Sequence, residues 1–271
     1  EYKQRRPDSI VPFLRMEGPF ISRTKKGAQQ GRFILPTDPE AVTRFLTLEE
    51  VKVFTFAPEI PDVDRMLHRA FQAGKIPSVG HSNARFHDFM KCYEKGVRHV
   101  THFPNALRGF HHREIGLLGA GLYWDDLNLE VIADGIHTSF EFLLLLLKIK
   151  GPCFALISDL IPPAYSSRNA GGEVKVLEGG RKITEKDGTL AGGGTSVPEQ
   201  AERLYRRGIA PEDLVPLATE NALKFYGFAP PDLREDHEAT CLFLDSDFRV
   251  TEMYIFGKKI GEPGGQRGKS L

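Results

Sequence analysis

Residues 79–106, VGHSNARFHDFMKCYEKGVRHVTHFPNA, contain two short apolar runs that each end at a histidine. The first run reaches His81, the second reaches His102, and the stretch between them has helical character. Asn83 is a residue type that favours a helix start, and Gly96 is one that favours a helix end. A strand, a helix and a second strand in this order predict a β-α-β unit with two parallel strands.

The same order recurs along the first 160 residues, where six β-rich runs each stop at a polar residue. We predict helices between them at 39–49, 61–73, 83–95 and 139–150. Near-continuous apolar strands indicate burial on both faces, and strands of a parallel barrel gather their carboxyl ends at one mouth. The sequence therefore predicts an α/β fold of the (β/α)8 TIM-barrel type. The polar ends expected at this mouth are Glu17, Glu59, His81, His102, His137 and Asp159.

A closed barrel of this type needs eight strands, and only six are visible in the sequence. We therefore expect the first two strand–helix units to be missing at the amino end. Three explanations remain open: the sequence is a fragment, a partner chain or a further segment supplies these units, or the fold is an open variant.

The texture of the sequence changes after Asp159. Residues 161–194 are rich in Gly, Pro and Ser, which predicts a long loop that is either functional or disordered. Two helices are predicted next, at 196–209 and 210–227, and then two strands joined at the turn-prone Asp245–Asp247. We assign residues 1–235 to the barrel and residues 236–271 to the strands of a small C-terminal β-sandwich portion.

Composition excludes several classes of partner. Lys plus Arg and Asp plus Glu both number 36, so no global field attracts nucleic acid or an anionic membrane. The longest apolar stretch, FLLLLL at 142–147, is far shorter than the roughly 20 residues of a membrane span. The 3 cysteines are widely spaced, which fits reduced thiols. We expect a soluble, cytoplasmic protein that binds neither nucleic acid nor membranes.

The residue types at the strand ends suit a catalytic metal. Catalytic zinc commonly takes three protein ligands from His and carboxylate and leaves one position for water. Glu17, His81 and His102 supply such a set, Asp159 suits a general base, and His137 could donate to a developing oxyanion. The alternatives for the two acids stay open: Glu17 could pair with Arg15 or a lysine, and Asp159 could cap a helix.

Other residues of these types are given ordinary roles. Glu59 follows Pro58, a context that favours a turn. Four further histidines are expected to be solvated or satisfied by neighbours; they are His87, His99, His111 and His112.

Several short motifs, in their order and spacing, resemble one family. They are LRMEGPFISRTKKGAQQG, VGHSNA, THFPNAL, REIGLLGAGL, VIADGIH, ALISD and DGTLAGG. From about residue 10 to residue 260 the chain is similar to the N-acetylglucosamine-6-phosphate deacetylase family of the amidohydrolase superfamily. The resemblance implies a hydrolase that converts N-acetylglucosamine 6-phosphate to glucosamine 6-phosphate and acetate, and a homodimer.

The same resemblance implies roles for individual residues. Glu17, His81 and His102 would hold one divalent ion, zinc or iron. Asp159 would be general base and acid, and His137 would contact the substrate amide carbonyl or the sugar.

Further positions are implied to bind the rest of the substrate. Asn105, Ala106 and Arg113 would contact the sugar phosphate, with Arg113 reaching across a dimer interface, a role that suits the paired donors of its guanidinium. Leu190 and Ala191 would line the acetyl side of the pocket.

The chain departs from the family pattern at several positions. Arg15-Met16 stands where the family has His-Leu, Gln29 where relatives often have a phosphate-site histidine, and Pro104 where a large apolar residue is usual. Two alternatives follow: a catalytically silent or truncated sugar-phosphate-binding relative, and an amidohydrolase acting on another N-acyl sugar.

Overall fold

The computed structural model describes residues 11–161, 174–178, 181–229 and 234–261. Twelve strands are found there: β1 (Leu14–Phe20), β2 (Val51–Phe56), β3 (Ile76–Val79), β4 (His99–Val100), β5 (Asn128–Val131), β6 (Ala155–Leu156), β7 (Val174–Leu177), β8 (Lys182–Glu185), β9 (Leu190–Gly193), β10 (Cys241–Leu244), β11 (Val250–Ile255) and β12 (Lys258–Lys259). The α-helices of the same residues are α1 (Pro39–Leu46), α2 (Val63–Gln72), α3 (Phe86–Glu94), α4 (Gly116–Tyr123), α5 (Phe140–Lys150), α6 (Val197–Tyr205), α7 (Pro211–Val215) and α8 (Asn221–Phe225).

Strands β1 to β6 form one sheet in which the spatial order equals the chain order. The pairs β1–β2, β2–β3, β3–β4 and β5–β6 are parallel. Every residue of β2 except Lys52 is buried, as expected of a strand covered on both faces. The predicted α/β fold with consecutive parallel strands is thus confirmed, and the six predicted strand positions are confirmed with it.

The chain forms two compact units. The first contains the chain up to Thr101 together with Ala106–Leu127, and the second contains His102–Asn105 and the chain from Asn128 onward. In the first unit the rings of Phe20 and Phe45 meet edge to face at 5.6 Å between centroids, and Phe45 lies 4.9 Å from Phe54. The division at residue 235 stays a prediction.

The helix starts show how local sequence sets these elements. The Asp38 carboxylate accepts the backbone N–H groups of Glu40 and Ala41 at the start of α1, where Pro39 is the first helical residue. At the start of α6, Ser196 and Glu199 form a reciprocal capping box. Gly96, with a φ of +100°, ends α3 as predicted.

Asn83 does not cap α3, which corrects one prediction. The helix begins at Phe86 behind Arg85, because the side chain of Asp88 accepts the Arg85 N–H and Glu114 accepts the Phe86 N–H. The N–H of Asn83 is instead bound by the carboxylate of Glu59, 2.6 Å away.

The predicted long loop at 161–194 is only partly a loop. Residues 162–173 and 179–180 lie outside the described part, but the remainder forms an antiparallel sheet of β7, β8 and β9. Asp187 and Gly188 make the turn between β8 and β9, where Gly188 has a φ of +92° and the Asp187 carboxylate accepts the Thr189 N–H. The Asp-Gly pair, flanked by alternating residues, was the overlooked signal.

The predicted helix at 210–227 is observed as one continuous helical run over residues 211–225. It is not a regular α-helix throughout, because it consists of α7, a π-helical turn at Pro216–Glu220 and α8. Pro216 has no N–H to donate to the preceding turn, which widens the helix there.

The C-terminal strands confirm the predicted hairpin. Strands β10 and β11 pair antiparallel, and β12 continues the sheet beside β11. The carboxylate of Asp245 accepts the N–H groups of Asp247 and Arg249, which closes the predicted turn. Among all described helices, none combines the length and the apolar character needed to cross a bilayer.

Candidate metal centre

Glu17, His81 and His102 form a group of three possible metal ligands. One ligand atom of each residue lies within 4.8 Å of those of the other two. Two imidazoles and one carboxylate are a donor set typical of catalytic zinc and of related divalent ions. The residues present therefore fit a divalent cation, in agreement with the predicted ligand set.

The carboxylate of Glu17 is held from two sides. Its Oε1 lies 2.7 Å from His81 Nε2, and its Oε2 accepts a hydrogen bond from Gln29 Nε2 at 2.8 Å. The first 3₁₀ turn after β1 (Arg23–Lys25) and the second (Gly31–Phe33) bracket Gln29. Gln29 thus contacts the candidate ligand itself.

His81 is almost fully buried and its ring orientation is fixed. Its Nδ1 lies 2.8 Å from the backbone carbonyl oxygen of Lys25. A carbonyl oxygen only accepts, so Nδ1 carries the proton and donates it. The lone pair of a neutral ring is then on Nε2, on the side of Glu17, which is the arrangement seen around histidines that bind metals.

His102 is placed by its own strand. Thr101 donates its N–H to the carbonyl of Val79 at 2.8 Å, and its hydroxyl lies 3.0 Å from that of Ser78. His102 follows directly and is 4% exposed. The pairing of β4 with β3 therefore positions the third candidate ligand.

Three of the predicted site residues have left-handed backbones just after their strands. The φ angles are +47° for His81, +35° for His102 and +46° for Asp159. This region is uncommon for residues other than glycine, and surrounding contacts must hold it. At each of these three residues the backbone therefore turns away from the direction of the preceding strand. The turns lie at the carboxyl ends of the strands, where the mouth of the predicted barrel would begin.

His137 lies after β5 and is oriented by Asp134. The carboxylate Oδ2 of Asp134 lies 2.8 Å from His137 Nδ1, and its Oδ1 accepts the N–H groups of Ile136 and His137. Burial, the largest single influence, opposes ionisation of Asp134. The hydrogen bond and charge of His137, together with the two backbone N–H groups, nevertheless lower the pKa of Asp134.

Asp159 is half-buried and lies in the loop after β6. Its backbone carbonyl accepts the N–H of Gly193 at 2.7 Å, and Leu160 pairs with Gly193 instead of starting a helix. A Cβ at Gly193 would lie 1.9 Å from the carbonyl oxygen of Ser158, so only glycine fits. Strand β9, which carries Leu190 and Ala191, is therefore fastened to the Asp159 loop.

The residues predicted to contact the phosphate lie after β4. Asn105 donates its N–H to the His102 carbonyl at 2.7 Å, and Ala106 accepts the N–H of Ser82 at 3.0 Å. Among the described residues, no hydrogen-bond partner faces the buried amide nitrogen of Asn105. Arg113 is exposed, and its Nη1 lies 3.2 Å from His112 Nε2.

Three residues contact the site residues or their loops in a way that the sequence did not predict: Gln29 and Glu59, which were considered in other roles, and Asp134, which was not considered. Asp134 stands three residues before His137 in ADGIH, a spacing that could have indicated a local carboxylate–imidazole pair. Gln29 and Glu59 make hydrogen bonds between loops that are distant in the sequence, so no residue spacing predicts these contacts.

The chain is similar in sequence to curated proteins that carry one name. It is 31% identical over 255 residues to the N-acetylglucosamine-6-phosphate deacetylase of Lysinibacillus sphaericus, covering 90% of this chain and 65% of the relative. It is 32% identical over 225 residues to the enzyme of the same name from Bacillus subtilis (strain 168), covering 79% of this chain and 56% of the relative. No family model matches the chain.

A solved structure gives the same result. The crystal structure of N-acetylglucosamine-6-phosphate deacetylase from Thermotoga maritima matches with a TM-score of 0.85 and 32% identity, over 97% of this chain and 73% of that chain. The chain thus spans somewhat less than two thirds of the length of the two curated relatives.

Proposed function

Because the chain belongs to the N-acetylglucosamine-6-phosphate deacetylase family, we propose that it serves metal-dependent removal of acetate from N-acetylglucosamine 6-phosphate. The products are glucosamine 6-phosphate and acetate. The observation that carries the proposal is the convergence of Glu17, His81 and His102 within 4.8 Å of one another. A zinc or iron ion bound there would polarise the amide carbonyl and acidify a water molecule.

Asp159 acts as the general base and then as the general acid. Its carboxylate takes one proton of the attacking water and returns it to the leaving nitrogen, so the C–N bond breaks to give the amino sugar and acetic acid, which then ionises to acetate. Support for this role comes from its place directly after β6 and from its left-handed backbone, which Gly193 helps to hold.

His137 binds the reacting amide or the sugar. Since its Nδ1–H is given to Asp134, its Nε2 remains for substrate. A neutral ring accepts a hydrogen bond from a sugar hydroxyl there. A protonated ring donates to the amide oxygen, and the adjacent carboxylate of Asp134 stabilises that charge.

The phosphate group of the substrate is bound by Asn105, Ala106 and Arg113. The buried amide nitrogen of Asn105 is a donor suited to an anion or a hydroxyl group, and the guanidinium of Arg113 offers paired donors. We propose that the exposed Arg113 acts across a homodimer, while Leu190 and Ala191 line the acetyl side. The three non-bonded cysteines fit a cytoplasmic protein.

The test combines metal content with turnover of N-acetylglucosamine 6-phosphate. Wild-type protein should contain about one divalent ion per chain. Asp159→Asn should keep the ion and lose about 10²- to 10⁴-fold in kcat, the range for an acid–base group. The control, Asp64→Asn, changes an exposed surface carboxylate and should behave as wild type.

Other outcomes separate the alternatives. Ion binding without turnover by the wild type would indicate a silent sugar-phosphate-binding relative. Faster turnover of a different N-acyl sugar would mean that this sugar is the substrate and that the proposed reaction type is correct. Unchanged turnover in Asp159→Asn would remove this residue from its proposed role.

A further inference from the structure

Glu59 binds the loop that follows strand β3. Its Oε2 accepts a hydrogen bond from the hydroxyl of Ser82, and its Oε1 accepts the backbone N–H of Asn83, both at 2.6 Å. Hydrogen bonds to an ionised carboxylate are shorter and stronger than those between neutral groups. Both oxygens of one side chain are therefore committed to two consecutive residues.

These two residues come directly after His81. His81 itself has a φ of +47°, and Ser82 is fully buried. The carbonyl of His81 accepts the N–H of Ser22 at 2.9 Å. The backbone is thus fixed at His81 itself and, through Glu59, at the two positions after it.

The residue before His81 leaves no room for adjustment. Gly80 donates its N–H to the Phe56 carbonyl at 3.1 Å. A Cβ at Gly80 would lie 2.7 Å from the methyl group of Thr55, so the chain passes closely over β2. A shift of the loop after His81 would therefore turn the imidazole, because the chain before it cannot follow.

A simpler role for Glu59 would be to stabilise the amino end of α3. Two donors at that end are already bound by other carboxylates, since Asp88 accepts the N–H of Arg85 and Glu114 accepts the N–H of Phe86. Glu59 instead binds Ser82 and Asn83, which precede the helix. Its contacts belong to the loop that carries His81.

We propose that Glu59 is a positioning residue for the metal site: its carboxylate holds the backbone after His81 so that Nε2 of that ring stays on the side of Glu17. The inference rests on the proposed function, because it concerns the same ion. Outer groups that orient a metal ligand typically change metal affinity about 10- to 100-fold when removed.

The experiment measures Co²⁺ affinity by competition with a chelator, together with the visible spectrum of the bound Co²⁺. Glu59→Gln replaces one acceptor oxygen with an amide of similar size and should weaken affinity about tenfold or more and alter the spectrum. Ser82→Ala removes one of the two donors and should act in the same direction with a smaller effect. The matched control, Glu94→Gln, changes an exposed glutamate at the end of α3 and should leave both readouts unchanged.

A double variant sharpens the test. If the hydroxyl and the carboxylate act through one contact, Glu59→Gln and Ser82→Ala together should weaken affinity by less than the product of their separate effects. A folded Glu59→Gln protein with wild-type affinity and spectrum would overturn the proposal. Should that variant fail to fold, wild-type affinity in Ser82→Ala would overturn it. Absence of Co²⁺ binding by the wild type would contradict the proposed function instead.

Discussion

At the scale of single residues, the pair of Asp134 and His137 shows how a buried carboxylate orients an imidazole ring and selects its tautomer. The side chain of Asp134 is fully buried and that of His137 is 5% exposed. A buried carboxylate is stable only when donors surround it, and Asp134 has three within 2.8 Å. The cluster therefore fixes the tautomer of His137 and the turn that carries it at the same time.

The stability of this cluster depends on pH in a defined direction. Burial works against ionisation of Asp134, but its hydrogen bonds lower its pKa below the ordinary 3.8. The unfolded chain therefore binds this proton at a higher pH than the folded chain does. The stabilisation is complete above pH 3.8 and is lost as the pH falls through the lowered value.

Asp134→Asn tests this linkage. The amide keeps one acceptor oxygen but places an NH₂ group against a donor, so we expect a loss of about 1–3 kcal/mol in the free energy of unfolding at pH 7. The loss should shrink as the pH falls below 3.8. Urea denaturation at several pH values measures both effects. A loss that is constant over this range would contradict the assignment.

The three candidate metal ligands could be predicted at this scale, but the contacts of the residues that support them could not. Glu17, His81 and His102 each follow an apolar run, and the repeated strand–helix order turns three positions in the sequence into one cluster. Gln29 and Glu59 make contacts between separate loops. Such contacts depend on how each loop turns, which neither residue spacing nor hydrophobic pattern specifies.

At the scale of elements, one buried side chain on α6 joins the ends of two strands. Gln200 is fully buried, accepts the N–H of Ala133 after β5 at 2.7 Å, and donates to the carbonyls of Ile157 and Thr195. The same helix sends Arg203 to the carbonyl of Asp134 at 3.1 Å. Helix α6 therefore supports the turns that carry His137 and Asp159.

Replacing this side chain should be costly. Gln200→Leu retains the volume but leaves one buried N–H and two carbonyls without their partner, so we expect the free energy of unfolding to fall by at least about 2 kcal/mol. The control, Gln72→Leu, lies on an exposed position at the end of α2 and should change it by about 0.5 kcal/mol or less. Chemical denaturation of both variants decides. Equal stabilities would show that α6 does not anchor these strands.

Helices and strands whose apolar residues recur at a clear period could be predicted from the sequence, and those without such a pattern could not. Helix α5 begins and ends within one residue of the prediction, because Ser139 caps it and Gly151 ends it. Helix α4, GLLGAGLY, was not predicted, since three glycines and a uniformly apolar sequence give no helical pattern. Its glycine and alanine positions are buried, so tertiary packing replaces the missing propensity.

At the scale of the whole molecule, the order of the strands explains why residues so distant in sequence share a site. Parallel strands in chain order place their carboxyl ends side by side, with a helix returning the chain each time. Glu17 and His81 are 64 positions apart, yet their side chains lie within 2.7 Å. The unfolded chain cannot assemble this donor set, so metal binding should favour the folded state.

This linkage gives a last prediction. Zn²⁺ at about 100 times its Kd should raise the free energy of unfolding of chelator-treated protein by about 2.7 kcal/mol. His102→Ala removes one ligand and should abolish most of that increase, whereas His87→Ala removes an exposed histidine of α3 and should preserve it. Thermal or urea denaturation with and without Zn²⁺ measures the difference. A site built from three convergent ligands cannot lose one of them without losing most of its affinity. An increase that persists in His102→Ala would therefore mean that Zn²⁺ stabilises the fold by binding at a different site.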